Sequence, residues 1–164
     1  MPGADSPTCP NRFPSSRAAR LLRPSSPSCD AMSAERATYL DSSAIVKLAV
    51  EEPESSALQR YLRRRPTLVS SALSRTEVLR ALLPLGPVAV ERGEDVLTRI
   101  DLIRISDRIL RDAGRWQPPV LRSLDAIHVA TARLLRADLD RLVTYDERMA
   151  AAATASGLPV SAPS

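Results

Sequence analysis

From residue 37 onward the chain alternates short β-prone runs with stretches whose apolar residues recur three or four apart. Ala37-Thr38-Tyr39-Leu40 is a run of the first kind and ends at Asp41. Ser42 to about Val50 follows with Ile45 and Leu48 at helical spacing. Pro53 stands where a first helical turn tolerates proline, and Leu58, Tyr61 and Leu62 continue a second helix. Thr67 to Ser70 predicts a strand. Ala72 to Leu83 predicts a helix, halted by Pro84-Leu85-Gly86-Pro87. Val88 to Arg99 reads as another helix, Ile100 to Ile105 as a strand, and Ser106 or Asp107 caps a short helix to Ala113. The strongest helical signal is Leu124 to Ala137, with Leu124, Ile127, His128, Thr131, Leu134 and Leu135 on one side. Leu142 to Thr144 is a strand, Asp146 to Ser156 an Ala-rich helix, and Leu158 to Val160 a last edge strand.

Strands alternating with helices predict an α/β fold, a parallel sheet with helices on both faces. Ligand sites in such folds lie at the carboxyl ends of the strands. No window approaches 18 consecutive apolar residues, so no membrane span is expected.

Residues 1–31 break the pattern. They hold six of the 14 prolines, six serines, both cysteines (Cys9 and Cys29) and no apolar periodicity. Such a stretch buries too little surface to offset its ordering entropy. It also lacks the apolar core of a secretory signal. The expected organisation is a disordered extension or mis-called start over 1–31, then one domain over 32–164, with Met32 as the alternative start. Setting aside the four arginines and two acids of the extension leaves 19 cations and 17 anions, a net of +2 instead of +4. The remaining domain has no cysteine and fits the cytoplasm.

Composition narrows the chemistry. One His and two Cys are too few for a four-coordinate zinc site. Any Ser–His–Asp or Cys–His mechanism would depend on that one His. Carboxylates are plentiful, and four fall in telling places. Asp41 follows the first strand and Asp146 the fourth; Asp125 begins the strong helix, and Glu77 lies within the third helix between Leu73 and Ala81. Each has an ordinary explanation. Asp41, Asp125 and Asp146 can cap helices, and Glu77 can pair with Arg75 or Arg80. Together, three of them converge on one edge of a parallel sheet. Clustered like charges are unfavourable without a cation between them. Mg²⁺ takes oxygen ligands and suits phosphoryl chemistry. Aromatics are scarce, so phosphates would be held by arginines such as Arg75, Arg80, Arg122 and Arg148 rather than by base stacking.

Four segments carry a resemblance. Tyr39-Leu40-Asp41-Ser42-Ser43-Ala44-Ile45-Val46-Lys47-Leu48, Arg75-Thr76-Glu77-Val78-Leu79-Arg80-Ala81-Leu82, Leu124-Asp125-Ala126-Ile127-His128-Val129-Ala130-Thr131-Ala132 and Val143-Thr144-Tyr145-Asp146-Glu147-Arg148-Met149 resemble, in order, the acidic motifs of PIN-domain ribonucleases. The similarity runs from about Ala37 to Val160 and looks closest to VapC-type toxins of type II toxin–antitoxin pairs. The resemblance implies a PIN-like three-layer α/β/α sandwich with a mainly parallel sheet. It implies a Mg²⁺- or Mn²⁺-dependent endoribonuclease that cleaves RNA phosphodiesters with metal-activated water. It also implies a homodimer and a cognate VapB-like antitoxin. Carried over by position, Asp41 and Asp125 are the principal metal ligands, with Glu77 and Asp146 completing the catalytic pocket.

Ser43, Thr144 and Arg122 are expected beside the metal ligands or the substrate. His128 is expected to pack or hydrogen-bond, and Lys47 to cover apolar surface with its stem. Other functions fit less well. A haloacid-dehalogenase-type phosphatase needs a second Asp where Ser43 stands, and a receiver domain needs a lysine late in the chain, whereas Lys47 is the only one. A housekeeping RNA-processing nuclease and a non-catalytic binding module remain as alternatives.

Overall fold

The computed structural model describes residues 36–117 and 119–164; the expected extension over 1–31 lies outside them. The element order is β1 (Ala37–Leu40), α1 (Ser42–Ala49), α2 (Ser55–Leu62), β2 (Leu68–Ser71), α3 (Ser74–Leu82), α4 (Pro87–Leu97), β3 (Asp101–Ile103), α5 (Asp107–Gly114), α6 (Ser123–Leu134), β4 (Leu139–Val143), α7 (Glu147–Ala155) and β5 (Val160–Ser161). The five strands form one sheet in the order β3-β2-β1-β4-β5, and every pairing is parallel.

The strand order explains the layers. The chain walks outward from β1 to β3, then returns past β1 to β4 and β5. Right-handed crossovers place the first set of helices on one face and the second set on the other. The buried side chains divide accordingly. Leu40 and Val143 join Ile45, Leu58, Val78 and Leu97 of α1–α4 in one cluster. Tyr39, Val69 and Leu142 join Ile109, Val129 and Met149 of α5–α7 in the other. Neighbouring residues such as Tyr39 and Leu40 thus feed opposite faces, as the strand period of two requires. The result is the three-layer α/β/α sandwich expected from the sequence. Its direction of winding reverses between β1 and β4, and the crevice of such a sheet opens at the carboxyl ends there.

Several boundaries differ from expectation. Helix α2 begins at Ser55, not Pro53. The Ser55 hydroxyl closes the preceding turn, accepting from Glu52 N at 2.8 Å and donating to Val50 O at 3.2 Å. Strand β4 begins at Leu139, three residues early, because Asp140 is held by Arg65 at 3.0 Å while Leu139 is buried opposite Ala37. The expected single apolar side of α6 is replaced by burial on several sides: Ala126, His128, Val129, Ala130, Thr131 and Ala132 are all buried, while Leu124 is 46% exposed. This helix lies against the sheet between α5 and α7, and a helix enclosed in that way has no simple stripe. Gly93 lets α4 approach α3, since a Cβ there would stand 2.4 Å from a Leu82 methyl.

Candidate active site

The pocket forms where β1 and β4 end. Asp41 is the N-cap of α1, and its backbone N donates to Val143 O at 3.0 Å, which ties the two strand ends together. Its carboxylate is 3% exposed. Oδ1 accepts from Ser43 N at 2.6 Å, and Oδ2 accepts from Ser43 Oγ at 2.8 Å and from Thr144 Oγ1. Ser43 Oγ also accepts from Tyr145 N at 3.0 Å, and Thr144 Oγ1 from Asp146 N at 3.1 Å. The two hydroxyls therefore tie Asp41 to the loop that carries Asp146.

Asp146 caps α7, with Oδ1 accepting from Arg148 N at 2.8 Å and Met149 N at 2.9 Å. The helix-capping explanation thus holds for Asp41 and Asp146 as far as their backbone bonds go. It fails for Asp125. The N-cap of α6 is Arg122, and Asp125 sits in the first turn with no capping bond. Its Oδ2 is buried and has no hydrogen-bond partner among the described residues. Burial raises the Asp125 pKa, the negative charge of Asp146 raises it further, and Asp41 and Glu77 add to the effect; Arg122 opposes them. All four carboxylates expected at the site therefore share one local field.

Glu77 does not pair with Arg75 or Arg80. Its Oε2 accepts from Ser42 Oγ at 2.5 Å and lies 2.7 Å from His128 Nε2. Burial alone would raise its pKa, but the His128 and Ser42 hydrogen bonds and the His128 charge together hold it below the usual carboxylate value. On α3 it lies next to the buried Ser74, Val78 and Leu82 face rather than between two buried apolar neighbours, since Ala81 is exposed. His128 is 1% exposed and continues the chain of polar contacts inward, with Nδ1 2.8 Å from Tyr39 Oη. Burial and the Asp41 charge raise the Tyr39 pKa well above normal.

Ser42 and Tyr39 were not expected at the site. Ser42 stands beside Asp41 in the first motif, and a second hydroxyl at a strand–helix junction was the available signal. Tyr39 alternates into the opposite face from Leu40 and offered none. Lys47 has a largely buried side chain, and its charge is occupied. It meets Glu52 at 2.5 Å and Glu54 at 2.8 Å and lies 4.8 Å from the centre of the Tyr145 ring. Arg75, Arg80, Arg122 and Arg148 are all exposed.

The donor set suits a hard divalent cation. It is all oxygen, it concentrates negative charge, and it leaves one buried carboxylate oxygen without a partner. Among the described residues no three His, Cys, Asp or Glu side chains form a ready cage.

Residues 38–155 match the PIN domain family. The chain belongs to that family. Ribonuclease VapC46 of Mycobacterium tuberculosis is 59% identical to it over 128 residues, covering 78% of this chain and 98% of that protein. Ribonuclease VapC35 of the same species is 43% identical over 129 residues, covering 76% and 96%. The crystal structure of Mycobacterium tuberculosis VapC20, a sarcin–ricin-loop cleaving toxin, shares the fold with a TM-score of 0.61, at 16% identity over 77% of this chain and 99% of that one. A toxin–antitoxin complex from Klebsiella pneumoniae contains a chain with a TM-score of 0.60 and 25% identity, covering 77% and 98%. This PIN domain is thus a nuclease of the VapC type. Its four motif acids stand at the carboxyl edge of its sheet or on the two helices beside it.

Proposed function

We propose that this PIN domain is a Mg²⁺-dependent endoribonuclease, also served by Mn²⁺, and the toxic member of a toxin–antitoxin pair. The observation that carries the reading is the buried, unpartnered Asp125 Oδ2 in the field of Asp146, Asp41 and Glu77. The names of its relatives, ribonucleases and a toxin–antitoxin complex, support the same reading.

Asp41 and Asp125 would hold the cation, with Glu77 and Asp146 completing the acidic pocket. The cation supplies Lewis acidity toward a phosphodiester oxygen and makes water a nucleophile near neutral pH. The chain's own side chains do the positioning. Ser43 and Thr144 fix both the plane and the place of the Asp41 carboxylate. Ser42 and His128 hold Glu77 ionised and aimed. Arg122, exposed at the start of α6, offsets Asp125 and is the cation we assign to an entering phosphate. A cognate VapB-like antitoxin holds the enzyme inactive in the cytoplasm. The exposed Leu83, Leu85 and Val88 beside α3 and α4 are apolar surface available to a homodimer.

The test is RNA cleavage by the purified chain freed of any bound partner. Added Mg²⁺ or Mn²⁺ is expected to give cleavage, a chelator to stop it, and Asp125→Asn to lower the rate at least about a hundredfold. Cleavage that persists in chelator, or an Asp125→Asn enzyme with full activity, refutes the reading and favours a binding module with structural carboxylates.

A further inference from the structure

The two edges of the sheet differ in the side chains they present. The carboxyl edge gathers the acids of the pocket. At the amino edge an exposed arginine precedes each of the first four strands: Arg36 before β1, Arg63 and Arg64 before β2, Arg99 before β3 and Arg136 before β4. The densest part is the turn from α2 into β2. An open concavity of about 480 Å³ there is lined, among the described residues, by Arg60, Tyr61, Arg63, Arg64 and Arg65.

Arg65 ties this turn to β4 and to the end of α2. Its Nε donates to Asp140 at 3.0 Å and its Nη1 to Tyr61 O at 2.8 Å, and its guanidinium lies 3.7 Å from the centre of the Tyr61 ring. Arg60, Arg63 and Arg64 are exposed and form no ion pair among the described residues. Three unpaired guanidinium groups held on one turn suit an anionic ligand with repeated charges. Arginine forks bind phosphate oxygens two at a time. A protein partner is a poorer fit, because interface arginines work around buried aromatic or apolar anchors, and none of the exposed large hydrophobic residues lies in this turn. Here the one aromatic ring is already covered by Arg65. With no free ring, bases have nothing to stack on, so contact would be with the backbone and indifferent to sequence.

We propose that the turn carrying Arg60, Arg63 and Arg64 is a docking surface for the phosphate backbone of RNA, separate from the carboxylate pocket. This rests on the ribonuclease reading above. The two places are separated by at least the length of β1, about 13 Å. A long or folded RNA reaches both, and a short oligonucleotide reaches the pocket alone. The surface thus favours long RNA without altering the chemistry.

The test compares the full chain, freed of any bound partner, with the double variant Arg63→Gln/Arg64→Gln. Fluorescence anisotropy measures affinity for a long and a short RNA over a range of salt concentrations, and cleavage of the short RNA is followed in parallel. Both substitutions are at exposed positions, and an unchanged circular dichroism spectrum and melting temperature verify the fold. Loss of two phosphate contacts is expected to weaken long-RNA binding several-fold and to lower the slope of log affinity against log salt by about 1.4. Short-RNA cleavage stays at the parent rate. Unchanged affinity and slope for long RNA overturn the proposal, and overturn it in favour of a protein partner if the variant instead loses binding to an acidic polypeptide. Arginine-dependent binding by a parent chain that cleaves no RNA refutes the nuclease reading and leaves the surface standing.

Discussion

Asp41 and Asp125 serve one pocket in opposite conditions. Asp41 is buried at a strand end and receives a backbone N–H and two hydroxyls. Asp125 lies on a helix with a buried oxygen that receives no hydrogen bond from the described residues, and its neighbours are mostly negative. The first carboxylate is part of the fold's own hydrogen-bond system. The second is a local cost to the fold, tolerable if a cation meets it. One substitution at each site should therefore separate fold from function.

The largest contrast is expected between Asp41→Ala and Asp125→Ala. Both should abolish RNA cleavage. Only Asp41→Ala should also lower stability, by about 1–3 kcal/mol, because it removes a helix cap and strands two hydroxyls. Denaturant unfolding with chelator present measures the difference. Equal losses of stability would mean that Asp125 is as well held as Asp41.

Thr144→Val sharpens the comparison without touching a carboxylate. It removes one of the bonds to Asp41 Oδ2 and the acceptor for Asp146 N. Supporting hydrogen bonds of this kind are worth about 10–100-fold in metal affinity. A cation titration of cleavage rate should show the midpoint displaced while the rate at saturation changes less. An unaltered midpoint would mean that Thr144 does not support the metal ligand.

The smallest effect concerns Glu77, which is held like Asp41 but by a different set of groups. Its folded pKa lies below 4.5, so it binds fewer protons folded than unfolded. The stability this provides is complete above the unfolded value and is lost as pH falls through the folded one. Glu77→Gln should therefore flatten the fall in stability below about pH 4.5, read from urea midpoints across acid pH. An unchanged acid profile would show that the His128 and Ser42 contacts contribute nothing to the fold.

These differences also mark how far the sequence alone could be read. The strands were readable because Tyr39/Leu40 and Leu142/Val143 send neighbouring side chains to opposite cores, and the acids follow strand ends or helix starts. The organisation of α6 was not readable, because a helix enclosed on several sides has no apolar stripe. Nor was the way the acids are held. Asp41 and Asp125 look alike in a motif, and only the path of the chain brings Thr144 to one of them and leaves the other without a donor. His128 was expected to pack or hydrogen-bond, and it does both; its partners Tyr39 and Glu77 come from other elements, at separations of 89 and 51 residues. Net charge concealed the most. A total of +4 gave no sign that four acids share one pocket or that exposed arginines precede the first four strands.

The most direct test of the central claim is the melting temperature of the wild type and of Asp125→Asn, each titrated with Mg²⁺ and Mn²⁺ from a chelated start. The unpartnered Asp125 charge predicts a wild type that melts progressively higher as cation is added. It predicts an Asp125→Asn chain that starts higher than the wild type and responds little. A wild type that ignores both cations, or an Asp125→Asn chain that melts lower without cation and is rescued by it, would contradict the account.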